Sequence, residues 1–347
     1  MTGTTYRGAL IGCGFFSHNH MNGWRDLPGA EIVAVCDRDE DRARAMAEKF
    51  GIAKSYADAG EMLAAETVDF VDIATTAASH RPLVELAVRH AKTVICQKPF
   101  AENLADAEAM VAAAQAAGAS LIIHENFRWQ KPFVDLKSMI DEGRIGVPHF
   151  ARFSFRHGYD NYVNQPYLAE IERFTIMDVG LHLFDLARHF MGEAKRLSCT
   201  TQRLNPKVKG EDAFTSLIAH VSGATSVCDC SFQSVVEPDP FPRTVAWIEG
   251  PRGSLSLDAE GIIQLHTPGH LERIDAAPEI PAWGEAPWHF VQDSVIRFQE
   301  HAIEVMSGRI DGRPSGADNL HTLALALAAY EAAGNGITID MTNWSET

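Results

Sequence analysis

Long apolar runs are missing from this chain of 347 residues: none approaches the roughly 18 consecutive apolar residues a membrane-spanning helix needs. The one early apolar stretch, Ala9 to Phe16, is broken by Gly12 and Gly14. It has neither a basic flank nor a cleavage site, so it does not read as a signal peptide, and a cytoplasmic chain is expected. Cysteine is sparse, six residues at positions 13, 36, 96, 199, 228 and 230 that match no zinc spacing, so reduced thiols and no metal site are expected. His18 and His20 have no third ligand spaced to join them. Basic residues are in deficit, 30 against 46 acidic, for a net charge of −16. That balance disfavours nucleic acid and anionic membrane as partners, and any anionic ligand must be held by local donors. There is no internal repeat and no low-complexity linker. What remains is a globular chain, long enough for two cores, with a small molecule as its expected partner.

What is present falls into two patterns. Over residues 1–125, strand-like runs at Gly8 to Ile11, Glu31 to Cys36, Asp69 to Ala74, Thr93 to Cys96 and Ser120 to Ile123 alternate with helical stretches at Asp39 to Phe50, Ala57 to Ala65, His80 to His90 and Asn103 to Gly118. This is a βαβ series and predicts a doubly wound parallel sheet of Rossmann type with right-handed crossovers. Over residues 126–347 a helix at Pro132 to Glu142 leads into strands from His149 to His266, which predict an α+β domain on a large, mainly antiparallel open sheet. A helical insert, Thr175 to Met191, interrupts those strands, and two amphipathic helices, Trp288 to Met306 and Ala317 to Ala333, follow; at least one is a candidate to pack back on the first domain.

The first strand runs into Gly12-Cys13-Gly14-Phe15-Phe16-Ser17, a G-x-G-x-x-S form of the dinucleotide fingerprint. Gly12 makes the tight turn and Gly14 lets backbone approach a pyrophosphate. The helix that follows offers N–H donors to it, with Phe15 and Phe16 in the turn. Asp37 ends the second strand, where a carboxylate accepts from ribose hydroxyls and repels a 2′-phosphate. NAD is therefore expected rather than NADP, with Arg38 as the residue that could hold the extra phosphate. Thr75, Thr76 and His80 lie in the βα loop after Asp69 to Ala74, at the same sheet edge. The strand Thr93 to Cys96 ends in Gln97-Lys98-Pro99, an amine beside a backbone lock where open α/β sheets place their chemistry, so Gln97 and Lys98 are expected cofactor contacts.

With Gly12-Cys13-Gly14, His80, Lys98-Pro99 and the later run Asp178-Val179-Gly180-Leu181-His182, the chain resembles the Gfo/Idh/MocA family of glucose-fructose oxidoreductase and inositol dehydrogenase over nearly its full length. Where that family has Glu-Lys-Pro, this chain has Gln97-Lys98-Pro99. The resemblance implies that Lys98 contacts nicotinamide ribose and substrate hydroxyl, that the bond before Pro99 is cis, and that Asp178 and His182 supply substrate contact and the catalytic base. It also implies a homodimer or homotetramer. Asp178 and His182 are four apart on the helical stretch, hence on one face. A neutral imidazole is suited to take a hydroxyl proton as hydride leaves, so His182 is the expected base and Lys98 the cation for the developing alkoxide. Asn126 and Arg128 after the last strand of the first domain, and Arg156, Tyr159 and Asn161 in the second, are candidate substrate contacts; an arginine could grip a carboxylate.

The expected activity is NAD-dependent oxidation of a secondary alcohol of a sugar, cyclitol or sugar acid, with a D-apionate-like oxidoisomerase as a finer form. The alternatives are an NAD-dependent glycosidase that returns its hydride, and a cofactor-binding sensor without turnover.

Overall fold

The computed structural model describes residues 4–163 and 165–346. The chain divides into two compact units, Met1–Asn126 with Ser294–Leu320, and Phe127–Asp293 with His321–Thr347.

The first unit runs β1 (Tyr6–Ile11), α1 (Ser17–Asp26), β2 (Ala30–Cys36), α2 (Glu40–Phe50), β3 (Ser55–Tyr56), α3 (Ala59–Ala65), β4 (Phe70–Ile73), α4 (His80–Ala87), β5 (Thr93–Gln97), α5 (Leu104–Ala117) and β6 (Ser120–His124). Its six strands are all parallel, in the order β3-β2-β1-β4-β5-β6. The order reverses between β1 and β4, which opens a crevice at their carboxyl ends. Local chemistry sets the helix limits. Asp39, Asp58 and Asn103 cap α2, α3 and α5 with their side chains, while Gly51 and Gly118 end α2 and α5 in the left-handed conformation. β3, two residues long, carries no periodicity in the sequence; it forms because Val35 and Cys36 of β2 offer it a partner. Residues from Ser294 to Leu320 join this unit, where Ile123 N–H donates to the Pro314 carbonyl (3.0 Å) and Ile122 bridges to Ser315.

The second unit holds α6 (Lys131–Asp141), β7 (Phe150–Arg156), α7 (Leu181–Met191), β8 (Ala194–Gln202), β9 (Ala213–His220), β10 (Thr225–Ser231), β11 (Val245–Gly250), β12 (Gly253–Leu257), β13 (Ile262–Thr267) and β14 (His270–Asp275). Helices α8 (His289–Met306) and α9 (Gly316–Asn335) and strand β15 (Ile339–Asp340) close the chain. Nine strands form one sheet in the order β14-β13-β12-β11-β7-β10-β9-β8-β15. Among the described residues only the β7–β10 pair within it is parallel. One face is apolar and carries α7: Phe153 meets Phe190 at 5.6 Å, and the Cys228 thiol points to the Leu183 carbonyl. Cys228 and Cys230 both lie on that buried face, as their two-residue spacing predicts. The opposite face presents one register row of Ser198, Leu217, Val227, Arg152, Trp247, Ser256, Gln264 and Arg273, none of them buried. No helix among the described residues is long and apolar enough to cross a membrane.

Candidate active site

In the first unit the turn after β1 is shaped for a phosphate. Gly12 has φ +99°, and a Cβ there would lie 2.8 Å from the Ala74 carbonyl, so the turn admits glycine alone. A Cβ at Gly14 would meet nothing within 4 Å, which leaves open space beside that backbone. α1 starts without a side-chain cap and without an acidic residue in its first turn, unlike the capped α2, α3 and α5. Its N-terminal N–H groups are thus the ones a pyrophosphate can satisfy. Ser17 Oγ donates to the Gly14 carbonyl (2.6 Å) and tightens the same turn. Phe15 is exposed and Phe16 half-buried.

Asp37 braces this turn: Oδ2 accepts from Cys13 N–H (2.8 Å) and Oδ1 from Asp39 N–H (2.9 Å). A carboxylate has about four acceptor positions, so a ribose diol can still be held. Arg38 is exposed beside it. These residues fit an adenine dinucleotide, the donors and the open backbone lying at the carboxyl edge of β1 and β2.

At the end of β5 the Lys98–Pro99 bond is cis. Lys98 is half-buried, whereas Gln97 is buried and turns into the unit, with its amide on His20 (3.1 Å) and its carbonyl oxygen on Lys98 N–H (2.7 Å). Gln97, an expected cofactor contact, thus supports the lysine from beneath. His80 is buried between the Phe100 carbonyl (3.1 Å) and the Thr75 carbonyl (3.2 Å), and burial pulls its imidazole below the ordinary histidine value. It ties the loop of Thr75 and Thr76 to the segment just after Lys98. Thr76 is exposed, and Thr75 lies against Ser79 Oγ (2.8 Å).

In the second unit Asp178 and His182 stand at a junction. Residues Ile176–Gly180 form a π-helical turn that runs directly into α7, where a regular α-helix is expected from the sequence. Such turns are frequent at functional sites. His182 is buried and stacks face to face on Phe127 (3.8 Å, 5°), which sets its ring plane. Asp178 is half-buried. His157 is buried among Phe155, Phe232 and Phe241 (5.3, 4.4 and 4.7 Å). Burial pulls its pKa down to about 4 against the opposing charges of Asp239 and Asp178, so it is neutral near pH 7. Asn161 is buried with its amide 3.5 Å from His157, and exposed Tyr159 stacks on Phe241 (4.6 Å).

Three expected substrate contacts are committed elsewhere. Arg128 is buried and its fork grips Asp185, with Nε on Oδ2 at 2.7 Å and Nη2 on Oδ1, so it is half of a buried ion pair. Arg156 points from β7 to the face of the sheet opposite α7, where it shares Asp229 with Arg152 and Ser154. Side chains alternate along a strand, and its neighbour Phe155 takes the α7 side. Asn126 is buried and donates to Ser294 Oγ (2.7 Å). Gly180 leaves room for a side chain of the core: a Cβ there would stand 3.0 Å from the Phe214 ring.

One residue that matters here has no signal in the sequence. Glu211, in a charged run that reads as a solvent loop, is buried and accepts from Phe174 N–H (3.2 Å), Ile176 N–H (2.9 Å) and the Tyr330 hydroxyl (2.7 Å). It caps the turn that carries Asp178.

Comparison with known proteins agrees with the fold. Residues 6–125 match the family described as an oxidoreductase family with an NAD-binding Rossmann fold, and residues 133–256 match the GFO/IDH/MocA C-terminal domain. A D-apiose dehydrogenase of Rhizobium rhizogenes is 46% identical over 98% of this chain and 99% of its own length. A second, of Paraburkholderia graminis, is 48% identical over 97% and 90%. The crystal structure of an oxidoreductase from Agrobacterium radiobacter in complex with NAD+, L-tartaric acid and magnesium superposes with a TM-score of 0.95 at 46% identity, covering 97% of this chain and 98% of that one.

Proposed function

The chain belongs to the GFO/IDH/MocA oxidoreductase family and is an NAD(P)-dependent dehydrogenase acting on CH–OH donors; on that premise we propose that it oxidises a ring carbinol of a neutral branched aldose of the D-apiose type. The full-length likeness to two D-apiose dehydrogenases carries this reading. The placement of Arg128 and Arg156 supports a neutral sugar over a sugar acid, because neither guanidinium stands ready for a carboxylate.

When bound, NAD supplies the hydride acceptor. The turn at Gly12 to Ser17 and the N-terminus of α1 hold its pyrophosphate, and Asp37 holds the adenosine ribose. His182 takes the hydroxyl proton as the C–H bond is given up; its ring, clamped by Phe127, loses little freedom in doing so. Asp178 accepts from a substrate hydroxyl, and the Lys98 ammonium stabilises the developing alkoxide. In this reading the chain works in the cytoplasm as a homo-oligomer.

Nicotinamide reduction is followed by absorbance with D-apiose, D-apionate, inositols, common aldoses and aryl glycosides. NADH accumulation with D-apiose, faster with NAD than with NADP, is the expected result. Reduction with D-apionate alone would transfer the assignment to sugar acids and revive the oxidoisomerase. Aglycone release without NADH would indicate a glycosidase, and cofactor binding without any product a sensor.

A further inference from the structure

Beneath Lys98 the first unit buries a polar network that the proposed reaction does not use. Asp72 sits in β4 among Phe70, Val71 and Ile73, all wholly buried, where a polar group is costly unless it is hydrogen-bonded. Its Oδ2 accepts from Trp24 Nε1–H (2.7 Å) and contacts His20 Nδ1 (2.9 Å). His20 Nε2 in turn meets Gln97 Nε2 (3.1 Å), and Gln97 Oε1 meets Lys98 N–H (2.7 Å). Around His20 stand the stacked ring of His124 (4.2 Å), the edge of Phe16 (5.5 Å) and Gln299, whose amide donates to the His20 carbonyl (2.9 Å).

The donor and acceptor roles along this line have a single consistent solution. A backbone N–H only donates, so the oxygen of Gln97 must face Lys98 and its NH₂ must face His20. An amide NH₂ also only donates, so His20 Nε2 carries a lone pair and the proton resides on Nδ1. That proton points at Asp72, which accepts from both His20 and Trp24. Every link then runs donor to acceptor from Lys98 down to a buried carboxylate.

Building on the dehydrogenase reading, we propose that His20, held by Asp72 as the Nδ1–H tautomer, positions Gln97 and through it the backbone at Lys98. His20 touches neither substrate nor cofactor in this role. Gln97→Glu reverses the polarity at one link: two acceptors face each other unless His20 or the new carboxyl takes a proton.

The test uses the full chain with NAD bound and D-apiose as substrate. Nitrogen NMR of the histidines reads the tautomer directly: His20 is protonated on Nδ1 and bare on Nε2 in the natural protein. Gln97→Ala should lower kcat by about 10²-fold, the scale of a misplacement near 1 Å, with NAD affinity little changed. His20→Gln, whose amide offers one donor and one acceptor at similar reach, should retain more kcat than His20→Ala.

A proton on Nε2 in the natural protein overturns the proposal. So does natural kcat in Gln97→Ala, or equal loss in His20→Gln and His20→Ala. Should D-apiose not be oxidised, the D-apiose assignment falls by itself, and amide exchange at Lys98 decides the positioning claim. Protection that falls by about tenfold or more in Gln97→Ala upholds it, and unchanged protection overturns it.

Discussion

The imidazole of His182 lies flat on the Phe127 ring, so its orientation is set before any substrate arrives. Replacing His182 with alanine removes the proposed base and leaves the nucleotide turn untouched. Turnover should fall by about 10² to 10⁴ while NAD affinity, measured by fluorescence titration, stays the same. His157 has the opposite character. It is packed among three aromatic rings, and its pKa is pushed down to about 4 by burial. Free in the unfolded chain it titrates at about 6.5, so between those values the unfolded state binds the extra proton. Its contribution to stability is whole above pH 6.5 and is lost as pH falls toward 4. Urea unfolding at stepped pH should show stability declining across that window by up to about 1.4 kcal/mol per pH unit, and His157→Phe should flatten the decline. A His157→Phe profile as steep as the natural one would assign the acid sensitivity to other groups.

Among the elements, the π-helical turn Ile176–Gly180 depends on partners far away in sequence. Glu211 satisfies two of its entering N–H groups, and burial together with the charge of Glu211 raises the Tyr330 phenol far above its usual range, so Tyr330 remains a donor. An amide at position 211 would set an NH₂ against a backbone N–H. Glu211→Gln should therefore cost about 1–3 kcal/mol of stability and lower kcat without changing NAD affinity. Gly180→Ala presses a methyl to within 3.0 Å of Phe214, a ring in the core with little room to move. Thermal denaturation should show a loss of about 1–3 kcal/mol.

For the molecule as a whole, the row through Leu217, Arg152 and Trp247 leaves a broad sheet face uncovered. Leu217 is 52% exposed and Trp247 38%, unusual for large apolar side chains in the middle of a sheet. A homodimer closing over this face would account for both, and if it forms, light scattering on a size-exclusion column should give at least twice the 38.0 kDa of one chain. Trp247→Glu should shift that mass toward the monomer; a natural protein that runs as a monomer at micromolar concentration would remove the proposed interface.

From the order of residues alone come the parallel sheet, the nucleotide turn and a helical stretch over Asp178 and His182, though not its π-helical turn. Each rests on interactions among neighbours in the chain: the two-residue period of strands, the 3.6-residue period of helices, and glycine where φ is positive. Tertiary structure decided which polar side chains are free for chemistry. Arg128 is paired with Asp185, Arg156 faces the side of the sheet opposite α7, and Gln97 turns inward to a histidine 77 residues earlier. Those outcomes depend on strand pairing and on partners distant in sequence, and a hydrogen-bond donor shows no preference among them until the fold brings one within reach.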